Sequence, residues 1–202
     1  MLSNESFSTL FQDQRLMAIL RGFGAERSVA LARQAWELGI DCVEVPIQSA
    51  EDLLALRAVV TAGAELGKSV GAGTVTTLEH VDQARAAGAE FTVSPGFDVK
   101  VATASFEAGM APLPGVATAS EVQAAATAGL TWLKAFPASI LGTEWFKAMA
   151  GPFPQVNFVA TGGMDAGNAQ AYLAAGVRVV AVGSALGDPS QLPRLASIQQ
   201  GR

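Results

Sequence analysis

Short apolar runs alternate with longer stretches in which apolar positions recur at helical spacing, and the alternation repeats along most of the chain. The runs are Leu16–Leu20, Asp41–Val45, Ser69–Gly73, Phe91–Ser94, Ala111–Gly115, Thr131–Ala135, Asn157–Thr161 and Arg178–Gly183. Their length and their valine, isoleucine and phenylalanine content predict strands. Between them lie Ser28–Leu38, Leu53–Leu66, Leu78–Ala87, Val99–Ala108, Ser120–Ala128, Glu144–Ala150 and Asn168–Ala175, rich in alanine and leucine. These predict helices. A glycine follows each of them, at 39, 67, 88, 109, 129, 151 and 176, where a helix commonly ends on a residue at positive φ.

Strict alternation of strand and helix implies a parallel sheet. An open doubly wound sheet usually needs about five or six strands. Eight comparable units instead predict a single α/β domain over residues 1–202, a (β/α)8 TIM barrel near the lower size limit of that fold. Ser3–Gln14 precedes the first strand and predicts an extra N-terminal helix that plugs the barrel's bottom. The last helix starts at about Gln191 and is short.

Such barrels keep their chemistry at the C-terminal ends of the strands. The residues standing there are Arg21, Glu44 and Gln48, Thr74, Pro95, Gly115, Lys134 and Phe136, Thr161 with Gly162 and Gly163, and Gly183 with Ser184. Side chains alternate faces along a strand. If Lys134 faces the lumen, Trp132 and Phe136 join it, and Leu133 and Ala135 pack on helices. By the same parity Glu44 faces inward with Cys42, and Val43 and Val45 face outward. The opposite parity would bury two charges against helices without partners, which is costly. Two uses are then open to Lys134 and Glu44. They form a buried ion pair that fills the lumen, or burial keeps the lysine amine neutral and nucleophilic beside an acid/base. Lys68, Lys100 and Lys147, the other lysines, lie in helical or turn contexts.

Glycines after the seventh and eighth strands let backbone N–H groups approach an anion at the place where barrels commonly bind phosphate. Arg21 is either a bidentate ligand for carboxylate or phosphate or a surface residue capping its loop.

Composition narrows the classes. Half of the 202 residues are hydrophobic and 15% are charged, which suits a buried core rather than disorder. The net charge of −5 and the lack of a Lys/Arg cluster argue against a nucleic-acid partner. No run reaches the ~18 apolar residues of a membrane span. Met1–Gln14 lacks the pattern of a secretory leader, and the single cysteine, Cys42, excludes an internal disulfide and fits a reducing cytoplasm. Inside an apolar strand, Cys42 reads as a packing residue. His80 reads as a solvated residue at a helix start, and one histidine makes no histidine-rich metal site.

Taken in order, Ile-Leu-Arg21-Gly, Val-Glu44-Val, Gly-Ala-Gly-Thr74, Val-Ser-Pro95-Gly, Leu-Pro-Gly115, Leu-Lys134-Ala-Phe-Pro, Gly151-Pro-Phe-Pro, Ala-Thr-Gly-Gly163 and Val-Gly-Ser184 resemble the 2-keto-3-deoxy-6-phosphogluconate aldolases. That family includes the 4-hydroxy-2-oxoglutarate and 2-keto-3-deoxy-6-phosphogalactonate aldolases. The resemblance runs from about residue 16 to residue 186. It implies a homotrimeric class I aldolase that needs no metal or cofactor and takes a phosphorylated 2-keto-3-deoxy sugar acid to pyruvate and glyceraldehyde 3-phosphate. It implies Lys134 as the Schiff-base lysine and Glu44 as the general acid/base, acting through a water. Thr74, Pro95 and Phe136 would line the pyruvate part, with Arg21 near the carboxylate. Gly162, Gly163 and Ser184 would hold the phosphate, with Thr161, Gly183 and Gln48 also in the substrate site.

The resemblance points two ways on the substrate epimer. Gln48 stands where gluconate-specific members often carry arginine, as in the galactonate branch. Gly-Pro-Phe-Pro and Ala-Thr-Gly-Gly are more like the gluconate branch. Three other readings stand beside these. A 4-hydroxy-2-oxoglutarate aldolase would give pyruvate and glyoxylate. A metal-dependent epimerase or thiamin-phosphate synthase would need ligands that these strand ends do not supply. A non-catalytic barrel that binds a phosphorylated metabolite would need the glycines but not a strand-core lysine.

Overall fold

The computed structural model describes residues 1–201. Among them the parallel strands are β1 (Leu16–Ile19), β2 (Val43–Pro46), β3 (Val70–Gly73), β4 (Phe91–Val93), β5 (Ala111–Leu113), β6 (Gly115–Val116), β7 (Trp132–Ala135), β8 (Asn157–Thr161) and β9 (Val179–Val182). The sheet order is β5-β4-β3-β2-β1-β9-β8-β7-β6. Its two ends, β5 and β6, are consecutive in the chain across Pro114. The predicted strand Ala111–Gly115 is thus one stave in two pieces. Ala111–Leu113 pairs with β4, and Gly115–Val116 pairs with β7. Pro114 lacks the N–H that a continuous ladder would use, and its carbonyl accepts from the Lys134 N–H at 2.9 Å. The result is the expected (β/α)8 barrel with its fifth strand broken.

A short helix, α1 (Ser6–Leu10), precedes the strands, and helices α2 (Gly24–Glu37), α3 (Ala50–Ala64), α4 (Leu78–Ala86), α5 (Val99–Glu107), α6 (Ala119–Thr127), α7 (Ala138–Ala150), α8 (Ala169–Ala174) and α9 (Leu192–Gln199) follow them. Six of the predicted helix-ending glycines take positive φ. Gly151 does not: it keeps helical backbone at φ −66°, and the chain turns directly into Pro152. α7 also begins earlier than its predicted span and changes direction at Gly142, φ 72°.

The alternation of faces sorts the core into two layers. Leu16, Ala18, Val43, Val45, Leu133, Ala135, Val180 and Val182 pack outward against the helices. Met17, Ile19, Cys42, Phe91, Val93, Leu113, Trp132, Val159, Val179 and Ala181 fill the lumen. The bottom of the lumen is closed by α1. Phe7 and Phe11 stack at 5.3 Å, and their rings meet Phe91 and Trp132. This is the predicted plug, although its helix is shorter than Ser3–Gln14. No helix among the described residues is long and apolar enough to cross a membrane.

Candidate active site

With the lower lumen filled by aromatic and aliphatic side chains, the upper end is left to Glu44 and Lys134. Both face inward, as parity requires, and are 1% and 3% exposed. Glu44 lies over β3, and a Cβ on Gly73 would collide with its carboxylate. Only glycine at that position leaves room for an acid in the lumen. One carboxylate oxygen, Oε1, has no hydrogen-bond partner, an uncommon state for a buried polar atom. The ammonium of Lys134 sits 5.0 Å from the centre of the Phe136 ring.

The two charges are not in ion-pair contact. Ion pairs among the described residues are Arg33–Glu65, Lys68–Asp41 and Lys147–Glu144. The lumen-filling ion pair is therefore not what the fold builds. Burial pushes the Glu44 carboxyl above its ordinary range, against the pull of the Lys134 and Arg21 charges. Burial pushes the Lys134 amine below its ordinary range, with Glu44 opposing and Arg21 reinforcing that change. Cys42 is fully buried, and its thiol is pushed well up by burial and by Glu44, so it stays a packing residue.

Arg21 reaches across the mouth from the end of β1. Its guanidinium donates to the Gln48 side-chain carbonyl and, at 3.1 Å, to the Thr74 hydroxyl. The guanidinium thus comes from the first strand to the position after the second strand where sequence reasoning noted glutamine in place of arginine. Thr74 holds φ +57°, a strained backbone for a β-branched residue. Gln48 is fixed in turn by its own N–H, which donates to the Asp52 carboxylate beside the Ser49 cap of α3.

A cavity of about 420 Å³ opens above Lys134. It lies over four adjacent staves, β7, β8, β9 and β1. Lys134, Phe136, Thr161, Gly162, Gly163, Gly183, Ser184 and Arg21 line it. Thr161 is 5% exposed. Gly162 and Gly163 hold φ 98° and 73°, so the turn after β8 needs glycine. Gly162 accepts from the Ser139 N–H, and Gly163 accepts from the Asn168 amide.

Glu44, Gln48, Thr74 and Pro95 do not line this cavity. Glu44 is buried on β2, outside the four staves that the cavity covers, and Gln48 and Thr74 are the hydrogen-bond partners of Arg21. The Pro95 carbonyl packs where Gly115 has no side chain, beside β7. Ile19, Phe23, Met164, Asp165 and Ala181 line the cavity without having been singled out from sequence. Parity places Ile19 and Ala181 inward, Ile19 as the last residue of β1 and Ala181 one step before the end of β9. The Asp165 carboxylate accepts from the Gly167 and Asn168 N–H groups, an arrangement readable from Asp-Ala-Gly-Asn. His80 is a helix-start residue whose Nδ1 accepts from the Thr76 N–H. The described residues contain no group of three or more His, Cys, Asp or Glu placed to hold a metal.

The family model for aldolases described as KDPG and KHG aldolase, the 2-keto-3-deoxy-6-phosphogluconate and 4-hydroxy-2-oxoglutarate types, matches residues 8–200. The 2-dehydro-3-deoxy-phosphogluconate aldolase of Treponema pallidum is 40% identical over 168 residues, 82% of this chain and 78% of that protein. The 2-dehydro-3-deoxy-6-phosphogalactonate aldolase of Escherichia coli is 33% identical over 172 residues, 85% of this chain and 83% of that protein. The crystal structure of the KDPG aldolase of Legionella pneumophila, with pyruvate captured as a covalent carbinolamine intermediate, superposes with a TM-score of 0.83. It is 27% identical over 96% of both chains. The match over nearly the whole length, on a barrel with this arrangement of inward residues, shows that the chain belongs to the KDPG and KHG aldolase family.

Proposed function

We propose that this protein cleaves 2-keto-3-deoxy-6-phosphogluconate, or its galactonate epimer, to pyruvate and glyceraldehyde 3-phosphate through a Schiff base on Lys134. The observation that carries this reading is the state of that lysine. It is buried, unpaired and held below its ordinary pKa, and it lines an open cavity. Burial of an amine without an ion-pair partner favours its neutral form, the form that attacks a ketone.

The reaction proceeds in balanced steps. The Lys134 amine adds to C2, and loss of water leaves an iminium. Glu44, acting through a water, takes the proton of the C4 hydroxyl. The C3–C4 bond breaks, its electrons pass to the iminium, and the aldehyde departs. The enamine takes a proton at C3, and water frees pyruvate and the lysine. A carboxyl raised by burial suits a group that must both accept and return a proton near neutral pH. Arg21, held by Gln48 and Thr74, supplies the cation for the carboxylate. The turn of Gly162 and Gly163 and the start of the short 3-10 helix Ser184–Gly187 supply backbone donors for the phosphate.

The relatives bear names from both epimer branches, and the Gln48–Arg21 pair is the feature on which the two are to be compared. A homotrimer is proposed on the family resemblance. It would give a light-scattering mass three times the chain's 20.7 kDa.

Borohydride reduction in the presence of pyruvate tests the central claim. Intact mass should rise by one reduced pyruvyl group, and peptide mapping should place it on Lys134. The Lys134→Ala variant should show neither adduct nor turnover. An unmodified wild-type protein would refute the Schiff base. Turnover of both epimers and of 4-hydroxy-2-oxoglutarate, followed by pyruvate release, ranks the substrates.

A further inference from the structure

We propose that Phe23 is a specificity-determining residue, a wall against which the phosphorylated aldehyde half of the substrate is held. The inference rests on the aldolase reading above and concerns the half of the substrate that Lys134 does not hold.

The cavity has two chemically distinct parts. Lys134 and Phe136 stand over β7, and Gly162, Gly163, Gly183 and Ser184 close β8 and β9. Beside Arg21, Thr161 and Asp165, the remaining lining carries an apolar patch formed by Ile19 and Phe23 on β1 and its loop, Met164 after β8, and Ala181 on β9. Because β1 pairs with β9, the loop carrying Phe23 rises beside the loop carrying Gly183 and Ser184. The aromatic ring therefore flanks the route from the bond-making lysine to the phosphate donors.

The loop is built to present it. Gly22 and Gly24 hold φ 71° and 67°, backbone that L side chains rarely adopt. A Cβ on Gly24 would stand 3.1 Å from a Glu51 carboxylate oxygen. Left-handed glycines thus flank one residue on both sides. Arg21 goes across to Gln48 and Thr74, and Phe23 lines the cavity, half-buried and packed against the outer core. An aromatic face suits the C–H groups of the carbons between the reacting centre and the phosphate. Pyruvate alone, held at Lys134, does not extend along that route.

The test compares two reactions in wild type, Phe23→Ala and Phe23→Leu. One is cleavage of each 6-phosphate substrate. The other is deuterium exchange at C3 of pyruvate, which needs the Schiff base and proton transfer but no aldehyde half. Phe23→Ala should lower kcat/KM for cleavage about tenfold, mostly through KM, as expected for loss of roughly one side chain's apolar contact. Exchange should fall far less, and Phe23→Leu should recover part of the cleavage. An equal fall in both reactions, or no fall in cleavage, would overturn the proposal. Failure of wild type to form the borohydride adduct would instead remove the aldolase reading itself, so the two failures are distinguishable.

Discussion

Thr74 holds a β-branched side chain at positive φ, one residue after the glycine over which Glu44 packs. Strain of this kind costs about 1–3 kcal/mol and persists where surrounding contacts demand it. Here the contact is the Arg21 guanidinium, which takes the Thr74 hydroxyl as acceptor. In Thr74→Gly, relief of strain opposes the flexibility glycine adds to the unfolded chain, so stability should rise by no more than about 2.5 kcal/mol. Arg21 loses an acceptor, and KM for substrate should rise about threefold to tenfold, the worth of one ordinary hydrogen bond. Thr74→Asn tolerates positive φ and keeps a polar side chain, so steady-state kinetics should show partial recovery. Glu44 calls for a different measurement. Its charge raises the pKa of Lys134, so Glu44→Gln should lower it further and move the pH profile of cyanoborohydride trapping toward acid. Turnover should fall by about 10²–10⁴ as the acid/base is lost. A fall in turnover with an unmoved trapping profile would separate the catalytic role from the electrostatic one.

Among the elements, the N-terminal segment does more than precede the barrel. The Asn4 side chain donates to the Pro112 and Trp132 carbonyls at 2.9 and 2.8 Å and accepts from the Thr131 and Trp132 N–H groups. One amide thus ties the broken fifth stave to β7 at the bottom, where the ladder is interrupted. Asn4→Ala leaves buried backbone groups unpaired and should cost about 3 kcal/mol, a Tm loss of about 6–12 °C for a chain of this size. Thermal unfolding should report that loss while borohydride trapping stays at the wild-type level, because the site is at the other end. The sequence showed the plug but not this amide, because no periodicity marks a side chain that bonds across the bottom of a barrel. Helix starts divide for a similar reason. Thr77 and Asp98 cap α4 and α5 with side-chain bonds, and those starts were legible. α2 and α7 have no side-chain cap, and their starts, at Gly24 and Ala138, precede the readable apolar pattern. Ser49 caps α3, yet its first turn is polar and conceals the start. Within the site, parity located Lys134 and Glu44 because strands have a period. Phe23 and Met164 lie on loops, which have none, and the Arg21–Gln48 bond depends on reach between neighbouring strand ends.

At the scale of the whole molecule, the barrel gives up stability for its centre. Folding moves the Glu44 carboxyl and the Lys134 amine out of water without bringing them into ion-pair contact. Because Glu44 has a raised pKa in the folded state, its burial costs nothing below the ordinary carboxylate range. That advantage is lost as pH rises through the folded value. Lys134 has a lowered pKa, so its burial costs most at low and neutral pH, and the cost fades as pH rises through the folded value toward the ordinary lysine range. Near neutrality both penalties act, each partly offset by the other's charge. Removing one group alone would leave the other buried without that offset. The informative variant is therefore the double one, Lys134→Met with Glu44→Gln. It should be inactive and more stable than wild type by about 1–4 kcal/mol near neutral pH, with Tm raised by about 2–4 °C per kcal/mol. Below about pH 4, where Glu44 is protonated in both folded and unfolded chains, only the lysine penalty remains and the gap should narrow. Denaturant titrations across pH measure this directly. A gap that stays constant from acid to neutral pH would mean that packing, rather than the burial of the glutamate's charge, separates the two proteins.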